Sequence, residues 1–471
     1  MTRAIITLFA SAARVIEDAF RATPLETVAF GFAGRVTRAE HSGLVVGDVE
    51  VVPDECYLER SEGRFSLDPR YVAEVGLRAL ERDRSVVIVH SHPGWSVPPR
   101  FSPIDERMHT MLVPSLLRKL RGPVGSLVWS PGGWSGRVWR DAETSLEVDV
   151  VRAIGRRLTF VGPGVQATDS DQFDRQIRAF GAPAQRAIGT LSMGIVGLGG
   201  TGSLACEWAA HLGVTTFLLV DPDKLEPSNL SRVVGSGPND VGVAKVELAE
   251  RMVRRIRPEA VVRALRADVR RCDALRALAT CDVVLACTDS HSSRAALNRL
   301  PYQYGVALID IGTLLRKNAA TTEAFADVRL ATPDRACLRC QGAIDAERVT
   351  LEQRTPDERR VLAARGYAPS HDLPAPSVLP VNALAVSLAM LRLIDLVEPW
   401  LSWDGRITVE AGALRIVERP GEPIADCDVC GSDAALTAAA DDEPLACIEG
   451  ARQCPCVALA SQGLARAGEP Q

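Results

Sequence analysis

Apolar residues recur at helical spacing over residues 11–21, then give way to an apolar run with aromatics at 27–32 that reads as a strand. A second helical pattern at 71–82 leads into a β-branched strand at 85–89. The strand predicted at 124–129 ends in the turn Ser130-Pro131-Gly132-Gly133, and a short strand holds Val138 and Trp139. Residues 1–145 therefore read as one small α/β domain. Residues 146–170 are poorly periodic, contain Gly162-Pro163-Gly164, and read as a connector. Over 171–436 strands (194–196, 216–220, 283–286, 306–309) alternate with helices, the pattern of a Rossmann-like doubly wound sheet. The apolar helical run 381–391 is too short to cross a bilayer and is followed by Arg392 and Asp395, so a buried helix is expected. Residues 437–471 read as a flexible, cysteine-containing tail.

Composition narrows the function classes. A chain of 471 residues requires more than one core. A net charge of −5, with 24% charged residues, offers no basic domain for a nucleic-acid partner. Arg14, Glu17 and Asp18 interrupt the first apolar stretch too early for an export signal. A cytoplasmic protein without a membrane segment is expected, most of its 12 cysteines reduced. Lysine is confined to Lys119, Lys224, Lys245 and Lys317, so its use at position 245 stands out.

The first chemical signal is His90-Ser91-His92, directly after a strand, with Asp105 thirteen residues beyond His92. Two imidazoles and a carboxylate leave the fourth position of a zinc ion open, as a catalytic site requires. Glu26 is a candidate general base and Ser102 a candidate donor to an oxyanion. A lone pair of histidines near a turn is ordinarily a surface feature, with Asp105 a helix cap; the spacing of Ser102 and Asp105 favours the metal. These residues resemble the JAMM (MPN+) metalloproteases, which cleave after the C-terminal glycine of ubiquitin and its relatives. The resemblance spans about 1–145; nine residues separate His92 from Ser102 where the family usually has seven.

The second signal is Gly197-x-Gly199-Gly200-x-Gly202 between a strand and a helix, a turn that admits phosphates. Alone it equally fits a dinucleotide domain, with Asp221 on ribose hydroxyls. Asn229, Arg232 and Lys245 would converge on a polyphosphate, and Asp289 would hold magnesium. Together with Phe173-Asp174-Arg175-Gln176-Ile177-Arg178, Asp221-x-Asp223 and Thr288-Asp289-Ser290, this set resembles the ThiF/MoeB-type activating enzymes; Val233 departs from the family's usual Gln. The resemblance implies ATP and Mg²⁺, adenylation of a protein C-terminus, Arg175 reaching the site of a partner subunit, and a homodimer.

Cys337-x-x-Cys340 and Cys427-x-x-Cys430 have the spacing of a closed, structural four-thiolate zinc site. No cysteine lies between Gln341 and Asp426, so Cys447, Cys454 and Cys456 are the thiols left for a thioester, unless they are incidental. Cys206 and Cys287 read as packing residues. The combined expectation is a bifunctional enzyme for a ubiquitin-like protein with a terminal glycine: a JAMM-type Zn²⁺ peptidase trims or deconjugates it, and the second domain adenylates it. Transfer would follow to a thiol, through a ubiquitin-conjugating-type partner or for sulfur delivery. The ensemble resembles bacterial ubiquitin-like systems, some linked to phage defence. The alternatives are a sulfur-carrier activator for biosynthesis, and a scaffold whose JAMM half only docks the carrier.

Overall fold

A computed structural model describes residues 3–38, 41–161, 171–317, 321–364, 376–402 and 405–431. The chain divides into two compact units, one centred on Met1–Gln166, the other on Ala167–Pro301 with Val306–Ala434.

The first unit runs β1 (Arg3–Phe9), α1 (Ala10–Arg21), β2 (Val28–Arg38), β3 (His41–Val51), β4 (Tyr57–Arg60), β5 (Phe65–Leu67), α2 (Pro69–Glu81), β6 (Ser85–Ser91), α3 (Pro103–Lys119), β7 (Val124–Ser130), β8 (Gly133–Trp139), β9 (Ser145–Ile154) and β10 (Leu158–Phe160). Its large sheet has the order β1-β3-β2-β6-β7-β8-β9-β10, and β9 also pairs with β1, so the sheet closes on itself. The stretch expected to be a connector is therefore two strands of this sheet as far as Phe160; its remainder, 162–170, lies outside the described residues. β9 alternates Leu146, Val148 and Val150 inward with Glu147 and Asp149 outward, the signature of a half-covered strand, until buried Val151 and Arg152 end the pattern.

Every residue of β6 is buried, and the strand pleat divides them. Val87 and Val89 join a core with Ile16 and Phe20 of α1. Val86 and Ile88 join a second core with Tyr71, Val72 and Val75 of α2 and Val113 and Leu116 of α3. Strict alternation then sends the side chain of His90 to the α2–α3 side, where α3 supplies Asp105.

After β10 the chain runs α4 (Asp174–Thr190), β11 (Ser192–Val196), α5 (Gly200–Leu212), β12 (Thr216–Val220), α6 (Lys245–Ile256), β13 (Val261–Leu265), α7 (Cys272–Leu278), β14 (Val283–Ala286), α8 (His291–Leu297), α9 (Leu300–Tyr304), β15 (Ala307–Lys317), β16 (Thr322–Ala331), α10 (Ala346–Glu352), α11 (Pro356–Ala364), α12 (Leu379–Val397), β17 (Arg406–Glu410) and β18 (Arg415–Arg419). Sheet order is β13-β12-β11-β14-β15-β16-β17-β18, parallel up to β15 and antiparallel beyond it. The order reverses between β11 and β14, which opens a crevice at their carboxyl ends, the usual ligand position in such sheets. The antiparallel extension was not foreseen from the sequence.

Helix α12 is longer than the 381–391 run suggested. Its 19 residues are long and apolar enough to cross a membrane by length and composition, yet 61% of that apolar window is buried in the protein. Arg392 and Asp395 lie within the helix, buried and paired at 3.0 Å. A charged pair satisfied within one helix can continue the helix through the core.

Candidate functional sites

In the first unit, residues far apart in sequence meet through strand register. The antiparallel β2–β6 pair sets Val28 opposite His90, and the ladder continues as Ser91 donates its N–H to the Thr27 carbonyl at 3.0 Å. Glu26, the candidate general base, lies two residues before β2, and its carboxylate Oε1 is 3.7 Å from His92 Nε2. Asp105 Oδ1 lies 3.1 Å from His90 Nε2, and Oδ2 lies 3.3 Å from His92 Nε2. All four residues are at least 94% buried.

Ser102 caps α3. Its Oγ accepts from the Asp105 N–H at 3.3 Å, and Asp105 Oδ2 accepts from the Ser102 N–H at 2.6 Å. The reciprocal cap fixes Asp105 on the first turn. Using the serine oxygen as an acceptor leaves its proton for another partner. The predicted cap and the predicted ligand are thus one residue, and the two readings of Asp105 do not compete.

Electrostatics fit a cation here. Burial lowers the pKa of His90 and keeps its imidazole neutral. Burial alone would raise Asp105, but the His90 and His92 rings set against it outweigh burial and hold the carboxyl far below the usual range. Burial pushes Glu26 up to about 7, against the pull of His92. Both ring nitrogens of His90 and Nδ1 of His92 are buried without a hydrogen-bond partner, which is costly for polar atoms. One ligand atom from each of His90, His92 and Asp105 falls within 4.8 Å of the others, so the donor set suits a divalent metal. Sequence reasoning missed the aromatic wall: Phe65 and Phe101 rings sit 5.7 and 6.0 Å from His90, and Trp95 sits 4.8 Å from His92. Trp95, the third residue after His92 and 40% exposed, was the one detectable signal.

The second site is built from turns. Gly197 has φ of 83° and follows β11 immediately. A Cβ on Gly202 would lie 1.8 Å from the Gly197 carbonyl oxygen, so glycine is obligatory there. A Cβ on Gly199 would meet nothing within 4 Å, so the turn has open space at its crest, at the N-terminus of α5. Gly200 packs against Asn382 and the stem of Arg232.

Asp221, at the end of β12, accepts from the Leu198 N–H at 2.6 Å and from the Asp223 N–H at 2.8 Å. It thereby ties the phosphate-type turn to the next strand. Burial raises its pKa against the pull of Lys245. Lys245 Nζ pairs with Asp223 Oδ2 at 2.8 Å. Arg232 donates from a terminal nitrogen to the Ser228 carbonyl at 2.8 Å. Asn229, expected on a polyphosphate beside Arg232 and Lys245, likewise has partners of its own. It is buried in its own turn, its Oδ1 accepting from the Glu226 N–H and its Nδ2 donating to Ser228 Oγ, because a short side chain facing its own backbone is satisfied there first. Asp289 stands exposed, three residues past β14, and Cys287 of the same stretch contacts the Gly197 turn. Arg175 is exposed on α4, with no contact to these groups among the described residues. Burial raises the thiol pKa of both Cys206 and Cys287, which fits packing roles.

Sequence reasoning also missed Asn382 and Glu352. A single Asn in the apolar α12 was a readable signal; nothing local marked Glu352, which meets Ser290 from 62 residues away.

Cys337, Cys340, Cys427 and Cys430 cluster with one sulfur from each within 4.8 Å of the others, and neighbouring sulfurs 3.6 to 3.8 Å apart. Four thiols so disposed suit a closed structural metal site. Cys447, Cys454 and Cys456 lie outside the described residues.

Comparison with known proteins agrees with the second site. The chain is 29% identical over 272 residues to the SAMP-activating enzyme E1 of Haloferax volcanii, covering 57% of this chain and 91% of that one. It is 30% identical over 178 residues to the molybdopterin-synthase adenylyltransferase of Escherichia coli K12, covering 37% of this chain and 69% of that one. It is 27% identical over 220 residues to ubiquitin-like modifier-activating enzyme 5 of Xenopus laevis, covering 43% of this chain and 54% of that relative. The ThiF family pattern matches residues 173–410, half of the chain, and the chain belongs to the ThiF family.

Proposed function

We propose that this chain activates a small ubiquitin-like or sulfur-carrier protein through its C-terminal glycine, and that its first unit is a zinc-dependent peptidase for the same terminus. The observation that carries the activation reading is the Asp221 junction, where one buried carboxylate locks the glycine turn to the Asp223–Lys245 pair. MgATP fits this arrangement: phosphates at the open crest of Gly199, magnesium on Asp289, and Lys245 and Arg232 opposing the phosphate charge. The carrier's glycine carboxylate would attack the α-phosphate, forming an acyl-adenylate as the α–β bridging bond breaks and pyrophosphate leaves. Lys245 would exchange Asp223 for phosphate oxygens as ATP binds. The relatives named as activating enzymes and adenylyltransferases support this chemistry.

In the first unit, His90, His92 and Asp105 would hold zinc, which when bound supplies Lewis acidity for hydrolysis. Glu26 would take a proton from the attacking water and deliver it to the departing amine. Ser102 would present its hydroxyl proton to the developing oxyanion. The four cysteines would hold a second, structural zinc. A second reading, sulfur-carrier activation, is favoured by the lack of any cysteine between Gln341 and Asp426, since the adenylate would then pass to an external sulfur donor. A cytoplasmic homodimer with Arg175 serving its partner, a ubiquitin-conjugating-type partner and a place in phage defence complete the proposal.

Carrier-dependent exchange of labelled pyrophosphate into ATP tests activation, and zinc analysis tests the metal sites. Exchange and two zinc per chain are expected. Lack of exchange with either class of carrier refutes activation, and one zinc per chain refutes the peptidase.

A further inference from the structure

The turn that carries Asp289 is held from outside its own neighbourhood. Its first end is secured by the sheet, where the Cys287 N–H donates to the Val196 carbonyl at 2.8 Å. Its second end runs into α8, capped by Ser290, whose Oγ accepts from the Ser293 N–H at 3.2 Å. That cap leaves the N–H groups of His291 and Ser292 without partners inside the helix. Both find one carboxylate. Glu352 accepts from the His291 N–H at 3.0 Å, from the Ser292 N–H at 2.7 Å, and from the Ser290 hydroxyl at 2.6 Å. Burial works to raise the Glu352 pKa, but the bonds from Ser290 and the two N–H groups outweigh it and lower the carboxyl below its ordinary value.

Glu352 closes α10, the helix that follows the first cysteine pair as the chain crosses back over the sheet. The start of that helix grips the same turn, because the Asp345 N–H donates to His291 Nδ1 at 3.1 Å. Both ends of α10 are thus fastened to the residues immediately after Asp289. An exposed carboxylate meant to hold magnesium gains affinity when its backbone is held still, as supporting groups do around other metal ligands.

We propose that Glu352 is a positioning residue for nucleotide activation: it clamps the turn after Asp289 and ties the crossover helix α10 to the magnesium carboxylate. This rests on the activation reading above. The clamp acts through Asp289, which separates it from a contact that merely stabilises the fold.

The experiment uses the full chain with MgATP alone, which needs no identified carrier. Amide hydrogen exchange on the nucleotide-free protein reads the clamp directly. Glu352→Ala should speed exchange at His291 and Ser292 while leaving α5 protected. The Mg²⁺ concentration for half-maximal ATP binding, measured by calorimetry, should rise about 10- to 100-fold in Glu352→Ala, with Glu352→Gln in between. In an Asp289→Ala background the same substitution should change the Mg²⁺ requirement no further, because the two residues act as a unit. An unchanged Mg²⁺ requirement in folded Glu352→Ala, or the same increase with Asp289 already removed, overturns the proposal. A wild-type chain that binds no MgATP overturns it together with the activation reading, whereas a failure confined to the variants overturns the clamp alone.

Discussion

In the first unit the reactive groups face one another: His90, His92, Asp105 and Glu26 are almost wholly buried, and several of their nitrogens lack partners. In the second unit the corresponding groups are already spoken for. Asp221 is held by two backbone N–H groups, Lys245 by Asp223 and Arg232 by Ser228, while the glycine crest opens outward. On the proposed function the contrast follows from the ligands. A small cation needs converging lone pairs kept from water, whereas a polyphosphate needs donors that can be drawn from temporary partners to a large anion. Unsatisfied buried atoms therefore point to a metal, and satisfied polar networks beside an open turn point to an anion.

The largest expected effect separates the two chemistries. Asp289→Ala or Lys245→Ala should reduce adenylate formation by about 10³-fold or more, as loss of charged phosphate contacts does elsewhere, with zinc content and cleavage unchanged. Pyrophosphate release and carrier cleavage, assayed side by side, read this; joint loss would dissolve the distinction. Next, Glu26→Gln should slow cleavage by about 10²- to 10⁴-fold with both zinc ions retained and adenylation intact. Zinc loss in that variant would instead make Glu26 a ligand.

Gly202→Ala should weaken ATP binding by about tenfold or more, since its methyl group collides with the Gly197 carbonyl and reshapes the turn. Calorimetry with MgATP measures it; unchanged binding would remove the turn from the site. The smallest effect concerns pH. In metal-stripped protein, Glu26 has its pKa raised from 4.5 to about 7 by burial, so the folded state binds the extra proton between those values. Its contribution is therefore lost as pH rises through that window. Glu26→Gln, which imitates the protonated form, should raise the melting temperature by a few degrees at pH 8 and by less at pH 5. The reverse order would contradict the burial argument.

How much was readable in the sequence differs between the halves for a physical reason. The glycine turn, Asp221, Arg232 and Lys245 belong to local patterns, and local patterns survive in one dimension. The strand–turn–helix around them was legible with near-correct bounds: the strand predicted at 216–220 is β12 itself. The group of His90, His92 and Asp105 was legible by residue type and spacing, but its assembly depends on β2–β6 register and on the pleat of β6. Strands β9 and β10 were hidden because they complete a closed sheet from a distance, and Glu352 was hidden because its three donors lie about sixty residues away. Asn229 was legible as a motif residue, whereas the bond that holds it in its own turn emerges only with the local fold.

The central claim is that one chain both trims and activates the same protein terminus. Intact mass spectrometry of a ubiquitin-like protein extended beyond its terminal glycine, incubated with this chain with and without MgATP, tests this most directly. The account predicts loss of the residues beyond a glycine without ATP, followed by an adenylate or its thiol-transfer product only when MgATP is present. Activation of an untrimmed carrier, or trimming that requires ATP, would contradict it.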